Sequence, residues 1–260
     1  GLVYPPWVYA PNEELLELCR VVAGTGVVYL THPRSESGGI VECVLDTLDI
    51  GRKTGVPVQL SHHKAMGAAN RGLVNRTLQL VDEARAEGID VTLDQYPYTR
   101  GSTSIRASLP PWVQEGGIAE TRRRLLDPET RDKAARDIER SLDPEIPCDW
   151  ESMLRHCGGP DGALVLYCPR TPQWEGRTLR QVGEALGLSP VEAAFEIVLA
   201  NDGSDLACYD NMFEEDVRAV MRHPSTMIGS DSIPAAAGAK AHPRSFGTHP
   251  RVLGRYVREE

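Results

Sequence analysis

Two hydrophobic periods alternate along the first 95 residues, and this alternation restricts the possible folds more than any other feature of the chain. Leucines and valines at helical spacing mark Asn12–Ala23, which stops at Gly24. A short apolar, β-branched run, Val27–Thr31, predicts a strand. A helix is predicted from about Ile40 to Lys53, closed by Gly55. Then come a strand over Val56–Ser61, a helix over Val74–Ala86 stopped by Gly88, and a strand over Ile89–Leu93. Parallel neighbours need a long crossover, and a helix between strands supplies one, so the pattern reads as βαβ units of an α/β fold. The strands are continuous apolar runs rather than alternating ones, which predicts cover on both faces.

The regularity breaks at Gly101. From there to Gly176 the chain reads as an insertion, with an exposed helical stretch over Thr121–Arg140, a run of Pro144, Pro147, Gly158, Gly159 and Pro160, and a strand at Ala163–Tyr167. Helical patterns resume at Leu179–Leu186 and Pro190–Ala200, where Ser189 reads as an N-cap with Pro190 at the first helical position. Short strands near Leu206–Tyr209 and Thr226–Gly229 bracket a helix from Glu214 to Arg222. The tail from Ile233 to His249, rich in Ala, Gly, Pro and His, reads as a loop.

A net charge of −9 argues against a duplex nucleic-acid partner or an anionic membrane surface, both of which select basic faces. No run approaches the roughly 18–20 apolar residues of a membrane span. Gly1–Ala10 lacks a basic segment followed by an apolar one, so no signal peptide is expected, and a chain opening at Gly1 reads as processed or as a fragment. Cys19, Cys43, Cys148, Cys157, Cys168 and Cys208 form no C-x-x-C pair, which excludes a zinc ribbon or a thioredoxin-like motif. A reducing, cytoplasmic setting is expected.

Chemistry is suggested by three polar residues placed where apolar runs end: His32 after Val27–Thr31, His62 after Val58–Ser61, and Asp231 after Met227–Ser230. Parallel strands of a barrel bring their C-terminal ends to one face, where active sites lie. Two imidazoles and a carboxylate there suit zinc and a hydrolytic water. Taken singly, each has a plainer reading, as a hydrogen-bonded loop histidine or a helix N-cap; recurrence on consecutive βα units is what raises the metal reading beside it. His63 would point away from His62 and reads as supporting structure. Asp94 reads equally as a ligand or a turn organiser. His242 and His249 are expected at the surface, and His156 and His223 suggest no partner. No G-x-G-x-x-G, P-loop or G-x-S-x-G is present, so nucleotide binding and a serine nucleophile lack support.

A set of motifs occurs in order: Gly1-Leu2-Val3-Tyr4-Pro5-Pro6, Thr31-His32-Pro33-Arg34, Ser61-His62-His63-Lys64, Asp94-Gln95-Tyr96-Pro97-Tyr98, Ile228-Gly229-Ser230-Asp231, His242-Pro243-Arg244-Ser245-Phe246-Gly247 and Pro250-Arg251-Val252-Leu253-Gly254. The set spans nearly the whole chain and resembles the N-acyl-D-amino-acid deacylase (D-aminoacylase) branch of the amidohydrolase superfamily. The resemblance implies that residues 1–260 are the C-terminal half of a (β/α)8 TIM-like amidohydrolase barrel, about strands five to eight, with 101–176 as an insertion or lid. It implies zinc held by His32 and His62 on the fifth and sixth strands, and Asp231 on the eighth as catalytic acid/base. Lys64, Tyr96 and Ser102 match positions that bind the substrate carboxylate. The implied partner is a small N-acyl-D-amino acid, and oligomeric state stays open.

Departures from the family pattern matter. It also supplies a His-x-His pair and a ligating cysteine from its first two strands, and neither can be placed here. The expectation is therefore a truncated piece that binds zinc weakly or not at all when isolated. Two other readings stand beside it: a dihydroorotase- or hydantoinase-like ring opening, and a catalytically incomplete fragment acting as a scaffold.

Overall fold

A computed structural model describes residues 1–233 and 240–259 and resolves the chain into two compact units. Gly1–Thr99, Met212–Ser232 and Pro243–Glu260 form the first; Arg100–Asn211 and Ile233–His242 form the second. In chain order the first unit contributes α1 (Asn12–Val22), β1 (Tyr29–Thr31), α2 (Ile40–Thr54), β2 (Val58–Leu60), α3 (Val74–Ala86) and β3 (Val91–Gln95). The second then forms β4 (Arg100–Thr103), α4 (Pro111–Gln114), α5 (Ile118–Leu126), α6 (Pro128–Ser141), α7 (Met153–His156), β5 (Ala163–Tyr167), α8 (Leu179–Leu186), α9 (Pro190–Asn201) and β6 (Leu206–Asp210). The chain returns to the first unit with α10 (Glu214–Arg222), β7 (Thr226–Ile228) and α11 (Arg244–Arg251).

In the first unit the strands pair in the order β1-β2-β3-β7, all parallel. One sheet face carries Val58, Leu60, Val91 and Leu93, which pack with Val44 and Leu48 of α2 and Leu78 and Val81 of α3. The register lines up Leu30 with Gln59 and Thr92, and Asp94 with Met227, on the opposite face. The expectation that the apolar runs mark strands covered on both faces is corrected at the sheet edges: Leu30 is 58% exposed and Met227 47%. An apolar run records that a side chain prefers cover, and both residues lie on edge strands of this sheet.

Local signals set the helix ends. α2 closes on Gly55 at φ 72°, a left-handed conformation that glycine adopts without a Cβ clash. α9 opens with a capping box: Ser189 Oγ accepts from the Glu192 amide and Glu192 Oε2 accepts from the Ser189 amide, with Pro190 at the first position. The exposed helix read over Thr121–Arg140 is instead two helices, α5 and α6. Asp127 lies between them at ψ 121°, an extended value favoured before proline, and accepts the amide of Thr130 to cap α6.

The second unit holds an antiparallel sheet in the order β4-β6-β5, so the strand read at Leu206–Tyr209 belongs to it and not to the parallel set. This unit runs past Gly176 to Asn211 and includes α8 and α9. The tail read as a loop contains α11, while residues 234–239 of that reading lie outside the described residues. Gly247 and Pro250 disfavour a helix locally, and tertiary contacts override them. Arg244 is buried, and Arg251 Nε donates to the Pro97 carbonyl at 2.7 Å. His242, expected at the surface, is buried at 5% exposure; His249 is exposed as expected.

Candidate metal and acid-base site

Because β1, β2, β3 and β7 are parallel, the residues that follow them collect along one edge of the sheet. His32 comes one residue after β1, and His62 two after β2. Their rings meet edge to face, with His32 Nδ1 and His62 Nε2 2.8 Å apart. Glu36, four residues beyond His32, reaches the outer nitrogens of both rings: Oε1 lies 2.9 Å from His62 Nδ1, and Oε2 lies 3.5 Å from His32 Nε2. Among the described residues these three form the group able to hold a metal, with ligand atoms within 4.8 Å of one another.

The donor set fits zinc. Burial pushes the His32 imidazole down to about 3, so it is neutral near pH 7 with one ring nitrogen left as a lone-pair donor. Its Nε2 is a buried polar atom with no hydrogen-bond partner, while Nδ1 faces His62. Lys64 Nζ lies 2.8 Å from His62 Nδ1 and forms a very short ion pair with Glu36 Oε1. Burial disfavours the Lys64 ammonium, yet the Glu36 carboxylate reverses this and raises its pKa. Burial alone would raise the Glu36 carboxyl, but His32, Lys64 and His62 together hold it well below the usual range. With His32 neutral, the Lys64 ammonium is the dominant charge in that balance.

Asp94 organises the edge. Its Oδ1 accepts the His62 amide at 2.8 Å, and its Oδ2 accepts Gln59 Nε2 at 2.6 Å. His62 itself sits at φ 38° and Asp231 at φ 46°, left-handed values that non-glycine residues rarely adopt. Strain of this kind costs about 1–3 kcal/mol per residue and clusters where side chains are aimed for function. Gly229, two residues before Asp231, is required by close approach: a Cβ there would stand 2.8 Å from Asp94 Oδ1. His63 turns away and bonds Thr77 through Nε2 at 2.6 Å, the structural role expected of it.

Asp231 Oδ2 pairs with Arg244 Nη1 at 2.8 Å. The Arg244 guanidinium lies 4.6 Å from the centre of the Tyr96 ring, and Lys64 Nζ lies 5.8 Å from the same ring. His32, His62, Lys64, Tyr96 and Asp231 are thus joined within the first unit by Glu36 and Arg244. Tyr96 is fully buried, and burial raises its hydroxyl pKa. Ser102 lies on β4 in the second unit, opposite Cys208. Arg34 of the T-H-x-R motif is structural: Nη1 donates to Asn12 Oδ1 at 2.6 Å and Nη2 to the Ala10 carbonyl.

Sequence reasoning missed Glu36 and Arg244. Neither ends a strand, and the one signal available was four-residue spacing from His32 and membership of the H-P-R run. His223, for which the sequence suggested no partner, faces Asp82 at 3.1 Å, and His156 lies 3.3 Å from Glu151.

No family model matches the chain. It is 34% identical over 259 residues to the D-aminoacylase of Alcaligenes xylosoxydans xylosoxydans, covering all of this chain and 42% of that protein. The N-acyl-D-glutamate deacylase of the same organism matches at 34% with the same coverage. Among solved structures, N-acyl-D-glutamate deacylase from Bordetella bronchiseptica, complexed with zinc and a phosphonate mimic of the tetrahedral intermediate, superposes with a TM-score of 0.74 at 31% identity. That match covers all of this chain and 43% of the other. The chain therefore spans less than half the length of the relatives it matches. Over that span the chain is similar in sequence to the D-aminoacylases and matches the fold of these amidohydrolases, as the ordered motifs implied.

Proposed function

From this similarity and the strand-end cluster, we propose that the chain supplies part of a zinc-dependent amidohydrolase site that cleaves the amide of N-acyl-D-amino acids. The observation that carries the reading is the convergence of His32 Nδ1 and His62 Nε2 at 2.8 Å. In this reading His32 and His62 hold zinc. Zinc bound there polarises a carbonyl and lowers the pKa of a water. Asp231 takes the proton of the attacking water and returns it to the leaving amine, which places a carboxylate within reach of both. Lys64 holds the substrate's α-carboxylate with Tyr96 and Ser102, and so orients the scissile bond; Ser102 enters on the motif match alone.

In this reading residues 101–176 serve as an insertion or lid within a barrel formed by residues 1–260 and the remainder of the fold. The six cysteines are all thiols, which supports a reducing, cytoplasmic setting. Among the described residues no helix is long and apolar enough to cross a membrane.

Elemental analysis combined with turnover on N-acyl-D-amino acids tests the reading, in a chain long enough to complete the fold. Asp231→Ala should abolish turnover while zinc content stays at the unmodified level. Loss of zinc in that variant would make Asp231 a ligand and sink the acid/base assignment; turnover of cyclic imides alone would replace the substrate class.

A further inference from the structure

We infer that Glu36 is the positioning residue that sets the tautomer of His62, and with it the ability of the histidine pair to take up metal; this rests on the zinc reading above. His62 uses its two nitrogens differently. Nε2 faces His32 Nδ1 at 2.8 Å, and Nδ1 faces both Glu36 Oε1 at 2.9 Å and Lys64 Nζ at 2.8 Å. A neutral imidazole carries one proton, so the neighbour that wins Nδ1 decides the state of Nε2.

If Lys64 donates to Nδ1, the ring proton sits on Nε2 and points at His32, which blocks that nitrogen as a ligand. If Glu36 accepts from Nδ1–H, Nε2 is bare and the two inner nitrogens are both lone-pair donors. Two features favour the carboxylate. Glu36 Oε1 pairs with the Lys64 ammonium in the shortest contact of the group, which keeps Glu36 an acceptor-only carboxylate beside Nδ1. The Glu36 backbone is itself fixed, its carbonyl accepting the Met66 amide at 2.6 Å. Such a carboxylate–histidine pairing orients a ligand without touching the metal, and its loss typically costs about 10–100-fold in affinity. The same carboxylate lies 3.5 Å from His32 Nε2, so it faces the outer side of both rings while their inner nitrogens face each other.

The test is a zinc titration of a chain long enough to complete the fold, labelled with 15N-histidine, followed by long-range 1H–15N spectra that separate protonated, bare and metal-bound ring nitrogens. In the unmodified chain, His62 should bind zinc through Nε2 and carry its proton on Nδ1. Glu36→Gln should move the metal-free His62 proton to Nε2 and weaken zinc about 10–100-fold. Lys64→Met compared with Glu36→Leu/Lys64→Met repeats the comparison with no unpaired ammonium, should Glu36→Gln fail to fold. An unchanged His62 tautomer and zinc affinity in the Glu36 variants would overturn the inference while leaving the zinc reading intact. A zinc-bound His62 whose Nδ1 is the metallated nitrogen would overturn it as well. Absence of any zinc-shifted His32 or His62 signal in the unmodified chain would overturn both.

Discussion

Lys64→Met separates what the buried ion pair does for stability from what it does for the site. Lys64 is 5% exposed and Glu36 4%, and Oε1 of Glu36 meets Nζ in a very short contact. Removing the ammonium leaves a buried carboxylate whose other neighbours are imidazoles, with His32 held neutral. Breaking a buried pair from one side costs about 3–5 kcal/mol, because the remaining charge keeps its desolvation penalty and loses its compensation. For a unit of this size, that corresponds to a fall in melting temperature of roughly 6–20 °C. Glu36→Leu should cost a similar amount, since it strands the ammonium. The double variant Glu36→Leu/Lys64→Met removes both charges and should return to within about 1 kcal/mol of the parent or exceed it. Urea unfolding of the four proteins closes a double-mutant cycle, with an expected coupling of about 5–10 kcal/mol, the two single losses together less the small loss of the double variant. A Lys64→Met loss under about 1 kcal/mol, or a double variant whose loss equals the sum of the singles, would refute the reasoning. In that case protonation of Glu36 would be absorbing the charge.

Three further outcomes follow from the same structure. Gly229→Ala forces a Cβ against Asp94 Oδ1 and should cost about 1–3 kcal/mol in urea unfolding, with a shift of the His62 amide resonance; an unmoved resonance would detach Asp94 from the site. Ser189→Ala removes one arm of the α9 capping box and should destabilise the second unit by about 1 kcal/mol, read as a lower urea midpoint at constant slope. Burial pushes the Cys157 thiol up to about 12, so it stays protonated in the fold while the unfolded thiol ionises near its ordinary value of 9.0. Its contribution is therefore intact below pH 9 and is lost as pH rises from 9 toward 12. Cys157→Ala should flatten that part of the stability curve, and equal slopes in both proteins would remove burial as the cause.

The βαβ order was legible because each element states its own period and its own stops. α3, α8, α10 and β5 form over the residues read from spacing alone, and α9 starts where Ser189 and Pro190 announce it. The three strand-end residues were visible for the same reason: parallel strands must deliver their C-terminal ends to one edge, so position along a strand becomes position in space. α11 was invisible because its sequence is a poor helix former, and its helix depends on Arg244 burying beneath Tyr96 and Arg251 reaching the Pro97 carbonyl.

The sequence by itself determined the succession of elements and the arrival of His32, His62 and Asp231 at strand ends. Tertiary structure decided what surrounds them. Glu36 occupies a loop position with no periodic signal, and only the pairing of β1 with β2 brings its carboxylate to the outer nitrogens of two histidines thirty residues apart. Arg244 reaches Asp231 from the far side of a segment that local propensity reads as coil. Period and propensity act over a few neighbouring residues, whereas charge pairing in a dry site acts between whichever groups the fold makes adjacent, so the network became visible only with the chain folded.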